Sequence, residues 1–86
     1  MNFTERLTSY DGKEVYIIRG TDIADRLAFY ILILNPEMKG LFQALTPDSP
    51  ANLNDYGTVI ASGFGHSIPA FTKSFLMNKY QINLDN

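Results

Sequence analysis

The chain has no cysteine and a single histidine. The first absence excludes disulfides, thiol nucleophiles and cysteine-ligated zinc within these residues, and it fits a reducing compartment. The second excludes a histidine-rich metal site. There is also no surplus of positive charge: nine acidic residues stand against seven basic ones, mixed along the chain. No basic stripe is available to neutralise phosphates, so nucleic acid is not an expected partner. The longest apolar run falls far short of a bilayer span, so no membrane is expected. Residues 1–12 carry both signs of charge and no apolar h-region, so a secretory signal is not expected either. These absences describe a soluble, cytoplasmic, single domain over residues 1–86.

What is present is organised around Leu27–Leu45. Leu27–Leu34 is apolar on both alternating sets, rich in aromatic and β-branched residues, and reads as a strand covered on both faces. A single helix from Asp22 to Leu34 is the rival reading. Asn35-Pro36-Glu37 is a helix start: a capping amide, a preset φ and an acid at the positive end of the dipole. Met38, Leu41, Phe42 and Leu45 then recur on one helical face. Thr46 before Pro47 ends that helix.

Upstream, Asp11-Gly12 signals a two-residue hairpin turn. It would set Tyr10 opposite Lys13, Thr8 opposite Val15 and Leu7 opposite Tyr16, with Phe3, Leu7, Tyr16 and Ile18 on one face. Downstream, Thr46–Tyr56 is a loop, and Gly57–Gly65 holds either a short strand or a helical turn. Pro69 belongs to the first turn of a last helix, and Gln81–Asn86 is a polar, fraying end. The expected fold is therefore α+β. It is a three-stranded antiparallel meander (about 3–10, 13–19 and 26–34), a helix over about 36–45, a loop, a short strand or turn over about 58–62, and a C-terminal helix over about 68–80.

Two functional readings follow. Five tyrosines and six phenylalanines are a heavy aromatic load for 86 residues. A wide apolar arc on the last helix points to a non-enzymatic protein-interaction or adaptor module, with a protein partner or a second copy meeting Leu76, Met77 and Tyr80. On this reading Phe71 is a core residue, and Phe71→Ala would disrupt folding.

The alternative is a small anionic ligand, bound or acted on chemically, at Gly63-Phe64-Gly65-His66-Ser67. There a Gly-x-Gly turn before a helix can present free amides, with Lys73 one to two turns on. The segment is neither a dinucleotide fingerprint nor a P-loop, so no cofactor is implied. Ser62 or Ser67 with His66 would need Asp55 to complete a hydrolytic set, and the surroundings do not match a nucleophile elbow. Asp22 and Asp25 lack metal-loop spacing and read as turn residues. In Asp55-Tyr56-Gly57, the plainer reading gives Tyr56 to the core edge and a positive φ to Gly57.

Overall fold

The computed structural model describes residues 3–21, 26–44, 50–65 and 67–84. Four strands form one antiparallel sheet in the order β1 (Phe3–Tyr10), β2 (Lys13–Thr21), β3 (Leu27–Leu34) and β4 (Gly57–Phe64). Between β3 and β4 the chain makes a 3-10 turn (Pro36–Met38), helix α1 (Lys39–Ala44) and a second 3-10 turn (Pro50–Asp55). Helix α2 (Ala70–Tyr80) follows β4. The architecture is α+β, with 57–64 joining the sheet as a full fourth strand. The turn expected over 20–25, the end of the first helix at Leu45, Thr46-Pro47 and His66 lie outside the described residues, wholly or in part.

The hairpin forms where Asp11-Gly12 places it, both residues at positive φ (51° and 79°). Tyr10 faces Lys13 and Thr8 faces Val15. One pairing differs from expectation: Arg6, not Leu7, faces Tyr16, because Leu7 is an extra residue in the β1 ladder. The bulge turns Leu7 away from Tyr16 and Ile18 and onto the core that contains Val15 and Ile17. β4 has a matching irregularity. Ile31 faces Ala61 and Leu32 faces Val59, which leaves Ile60 unpaired and packed on the same core.

β3 is buried on both faces because a different helix covers each. On one side Val15, Ile17, Phe29 and Ile31 pack beneath Leu76 of α2 and Ile82. On the other, Tyr16, Ile18, Leu32 and Leu34 pack against Phe42 of α1 and Leu53. The Phe42 ring sits 5.1 Å from Tyr16 and 5.6 Å from Tyr56, so Tyr56 does seal the core edge.

Several side chains depart from the expected pattern. Asn35 caps Glu37 as anticipated (3.4 Å), but the first turn is 3-10. That tighter turn keeps Met38 and Phe42 against the core and leaves Leu41 exposed. Gly57 is not at positive φ; a Cβ there would press on the Ile33 carbonyl oxygen and lie 2.9 Å from the Asn35 nitrogen, so close passage of two backbones demands glycine. α2 begins at Ala70, and its inner stripe is Thr72 and Leu76. Phe71 is therefore 77% exposed rather than core. Residues 81–84 do not simply fray. Gln81 takes a left-handed conformation, and the Ile82 amide donates to the Leu76 carbonyl (3.1 Å), turning Ile82 back into the core.

Candidate functional site

Two regions present chemistry to solvent, and the first is the β4 edge. β1 and β4 are the outer strands of the sheet. β1 carries Glu5 and Arg6, whereas Gly57–Phe64 holds no charged residue and no proline. The Gly65 amide donates to the Leu27 carbonyl at 3.0 Å. Antiparallel ladders alternate inward- and outward-facing backbone groups, so Ser62 and Phe64 aim theirs at the open side.

An exposed aromatic ends this strand, and two more stand on α2. Phe64 is 61% exposed, with the Arg26 guanidinium 4.4 Å from its ring centre. Phe71 lies on the flank of α2 opposite Lys73, roughly 160° away at 100° per residue. Lys73 faces the β1–β2 half of the sheet, and Phe71 is exposed on the other flank of the helix. Phe75, also exposed, follows one turn later.

The second region is a cleft of about 560 Å³ between the β1–β2 half of the sheet and α2 with its returning tail. Glu5, Arg19, Ser67, Lys73 and Asn83 supply its polar groups, and Ile17 is among its apolar walls. Arg19 is half-buried, and its Nε is shielded from solvent with no hydrogen-bond partner. A shielded donor left unpaired costs about 1–3 kcal/mol, so this nitrogen calls for an explanation. Arg6 also borders the cleft, but its guanidinium is engaged by Ser9 (3.1 Å) and Glu14 (3.6 Å).

On the α1 face, Glu14 accepts from the Tyr16 hydroxyl (3.0 Å) and from Lys39 Nζ (3.3 Å). The Tyr16 hydrogen bond, then Lys39 and Arg6, hold its carboxyl below the ordinary 4.5, against an opposing contribution from desolvation.

The sequence-derived candidates are dispersed by this geometry. Gly63 sits inside β4 opposite Phe29; a Cβ there would come within 2.7 Å of the Phe29 ring. Gly65 turns the chain at φ 96°, its amide already committed to Leu27. Neither glycine presents an open nest for an anion. Ser67 and Lys73 do share a site, namely the cleft, while His66 lies outside the described residues. Of the helix residues proposed as an interface, Leu76 is wholly buried in the core, Tyr80 is half-buried with its ring 5.3 Å from Tyr10, and Met77 is exposed. Arg19 and Asn83 were not singled out by sequence, and Phe64 was named only as part of the Gly-x-Gly segment. Phe71 carried a signal too, but it was read as core.

Among the described residues no cluster of acidic and histidine side chains could hold a metal ion, and no helix is long and apolar enough to cross a membrane. No protein-family model, curated protein sequence or solved structure matches this chain.

Proposed function

We propose that this chain is a cytoplasmic, non-enzymatic protein-interaction module that binds by strand addition at β4. The observation that carries the reading is the edge over Ala61–Phe64: among the described residues no strand lies beyond it, and the strand itself holds neither charge nor proline, with Arg26 lying on the Phe64 ring at its end. Natural edge strands are normally blunted by charge, proline or cover, because unpaired amides and carbonyls recruit another strand. β1 obeys that rule and β4 does not.

Strand addition draws affinity from the backbone and selectivity from flanking side-chain pockets. Here Phe64, exposed at the end of β4, supplies an apolar contact. The simplest partner is a second copy, since an uncharged strand meets its own antiparallel image without repulsion.

Light scattering over a concentration series tests this. The wild type is expected to shift from monomer to dimer, and Ser62→Lys to stay monomeric with an unchanged melting temperature. Ser62 is exposed and its backbone faces outwards, so lysine there blocks the edge without disturbing the core. A wild type that remains monomeric throughout, with β4 amide exchange identical to that of Ser62→Lys, would falsify self-association through β4.

A further inference from the structure

We propose that the cleft beneath α2 binds a small hydroxylated anion, its phosphate or carboxylate held in the fork of Arg19 beside Lys73. Three observations converge there. The first is the shape: about 560 Å³ lies within the range of metabolite sites, roughly 300–1,000 Å³. The second is Arg19. It stands on β2 opposite Phe3, close to where α2 begins, with an Nε that is shielded and unpartnered. A guanidinium presents paired donors in a plane, a geometry that matches carboxylate and phosphate oxygens. Nε itself is closed off, but Arg19 lines the cleft, so a ligand oxygen there meets the guanidinium from its solvent side.

The third observation is the division of charge. Arg19 and Lys73 form a cationic side, with the Ser67 hydroxyl and the Asn83 amide as neutral partners. Glu5 pairs with Ile17 in the ladder, two residues along β2 from Arg19, and lies on the same face of the sheet. As a carboxylate it accepts hydrogen bonds only, and it repels a second anionic group. It therefore selects a ligand with donors, such as hydroxyls, at the end remote from its charge. Ile17 contributes an apolar wall for the carbon skeleton. The cleft lies on the half of the sheet away from β4, so its occupancy can be read independently of association.

The experiment is an amide and arginine-side-chain NMR titration of the whole chain with inorganic phosphate, glucose 6-phosphate and glycerate. Binding predicts saturable shifts at Arg19 Nε–H and at the amides of Ser67, Lys73 and Asn83. Glucose 6-phosphate should bind more tightly than phosphate if Glu5 reads hydroxyls. Tighter binding of glycerate, a hydroxylated monocarboxylate, than of phosphate would assign a carboxylate ligand. Arg19→Gln should weaken binding by about tenfold or more, because it removes a charge-assisted fork. Lys39→Gln, on the opposite face, should bind like the wild type. Absence of saturable shifts with all three probes, or an Arg19→Gln variant of wild-type affinity, overturns the proposal. If Arg19→Gln does not fold, Lys73→Gln decides: a loss of about fivefold supports the site, and unchanged affinity removes it.

Discussion

β1 and β4 close the two sides of one sheet, and each contains one extra residue. Leu7 interrupts the ladder of β1, Ile60 that of β4, and both side chains pack on the α2-side core. The bulge has the same physical use in both: it delivers an additional apolar side chain to a face that strict alternation would have denied it. What differs is the solvent side. β1 carries Glu5 and Arg6, with Arg6 tied to Glu14 on β2. β4 carries nothing charged and is bordered by exposed Phe64. A shared packing device combined with unequal protection locates the reactive side of the sheet more clearly than either edge would alone.

The comparison breaks most severely at the start of β4. Gly57→Ala would drive a Cβ into the Ile33 carbonyl, a backbone atom fixed by the ladder. We expect a loss of about 3 kcal/mol or more in urea unfolding, at the upper end of overpacking costs. Gly40→Ala meets open space on α1 and should instead stabilise by roughly 0.5–1 kcal/mol. Equal effects of the two substitutions would show that β3 and β4 do not pass each other as closely as described.

The two bulges give a finer comparison. Leu7 and Ile60 are both half-buried on the same core. Leu7→Ala and Ile60→Ala should therefore each cost about 1–2 kcal/mol, below the range for fully buried aliphatics. Thermal melts of the two variants test this. A loss at Ile60 with none at Leu7 would mean that the β1 bulge does not serve packing.

Much of the fold was legible because its local signals agree. Asp11-Gly12 sets the hairpin, two-sided apolarity marks β3 as central, and Asn35-Pro36-Glu37 starts a helix. The departures share a cause: each depends on contacts distant in sequence. Nothing local in Glu5-Arg6-Leu7-Thr8 announces an inserted residue, yet one insertion reverses the faces upstream of it. Gly63 reads as turn punctuation until Phe29 is known to lie across from it. Phe71 looks like core because it is large and apolar, but the small Thr72 holds the inner position. The cleft was least legible of all, since Glu5, Arg19, Lys73 and Asn83 meet only through the meander and the return of the chain after α2. Ser67 and Lys73 were singled out by sequence for a glycine loop, and the geometry gives them a different neighbour in Arg19.

Glu14 supplies the smallest test of the unequal edges, and acid reads it. Its carboxyl links Arg6 of β1 to Lys39 of α1, and Tyr16 donates to it, so it braces the β1 side alone. A carboxyl held below its ordinary 4.5 contributes stability that is present above that value and lost as pH falls through the lower folded value. Protection factors for β1 amides should accordingly begin to fall below about pH 4.5 while those of β4 hold. The effect should be modest and weaken with salt, as for other solvent-accessible ion pairs. Glu14→Gln keeps an acceptor for Tyr16 but removes the titration, so the two edges should then respond to acid alike. If β4 loses protection first in the wild type, the charges around Glu14 do not brace the protected edge, and the contrast between the strands must rest on the open backbone of β4 alone.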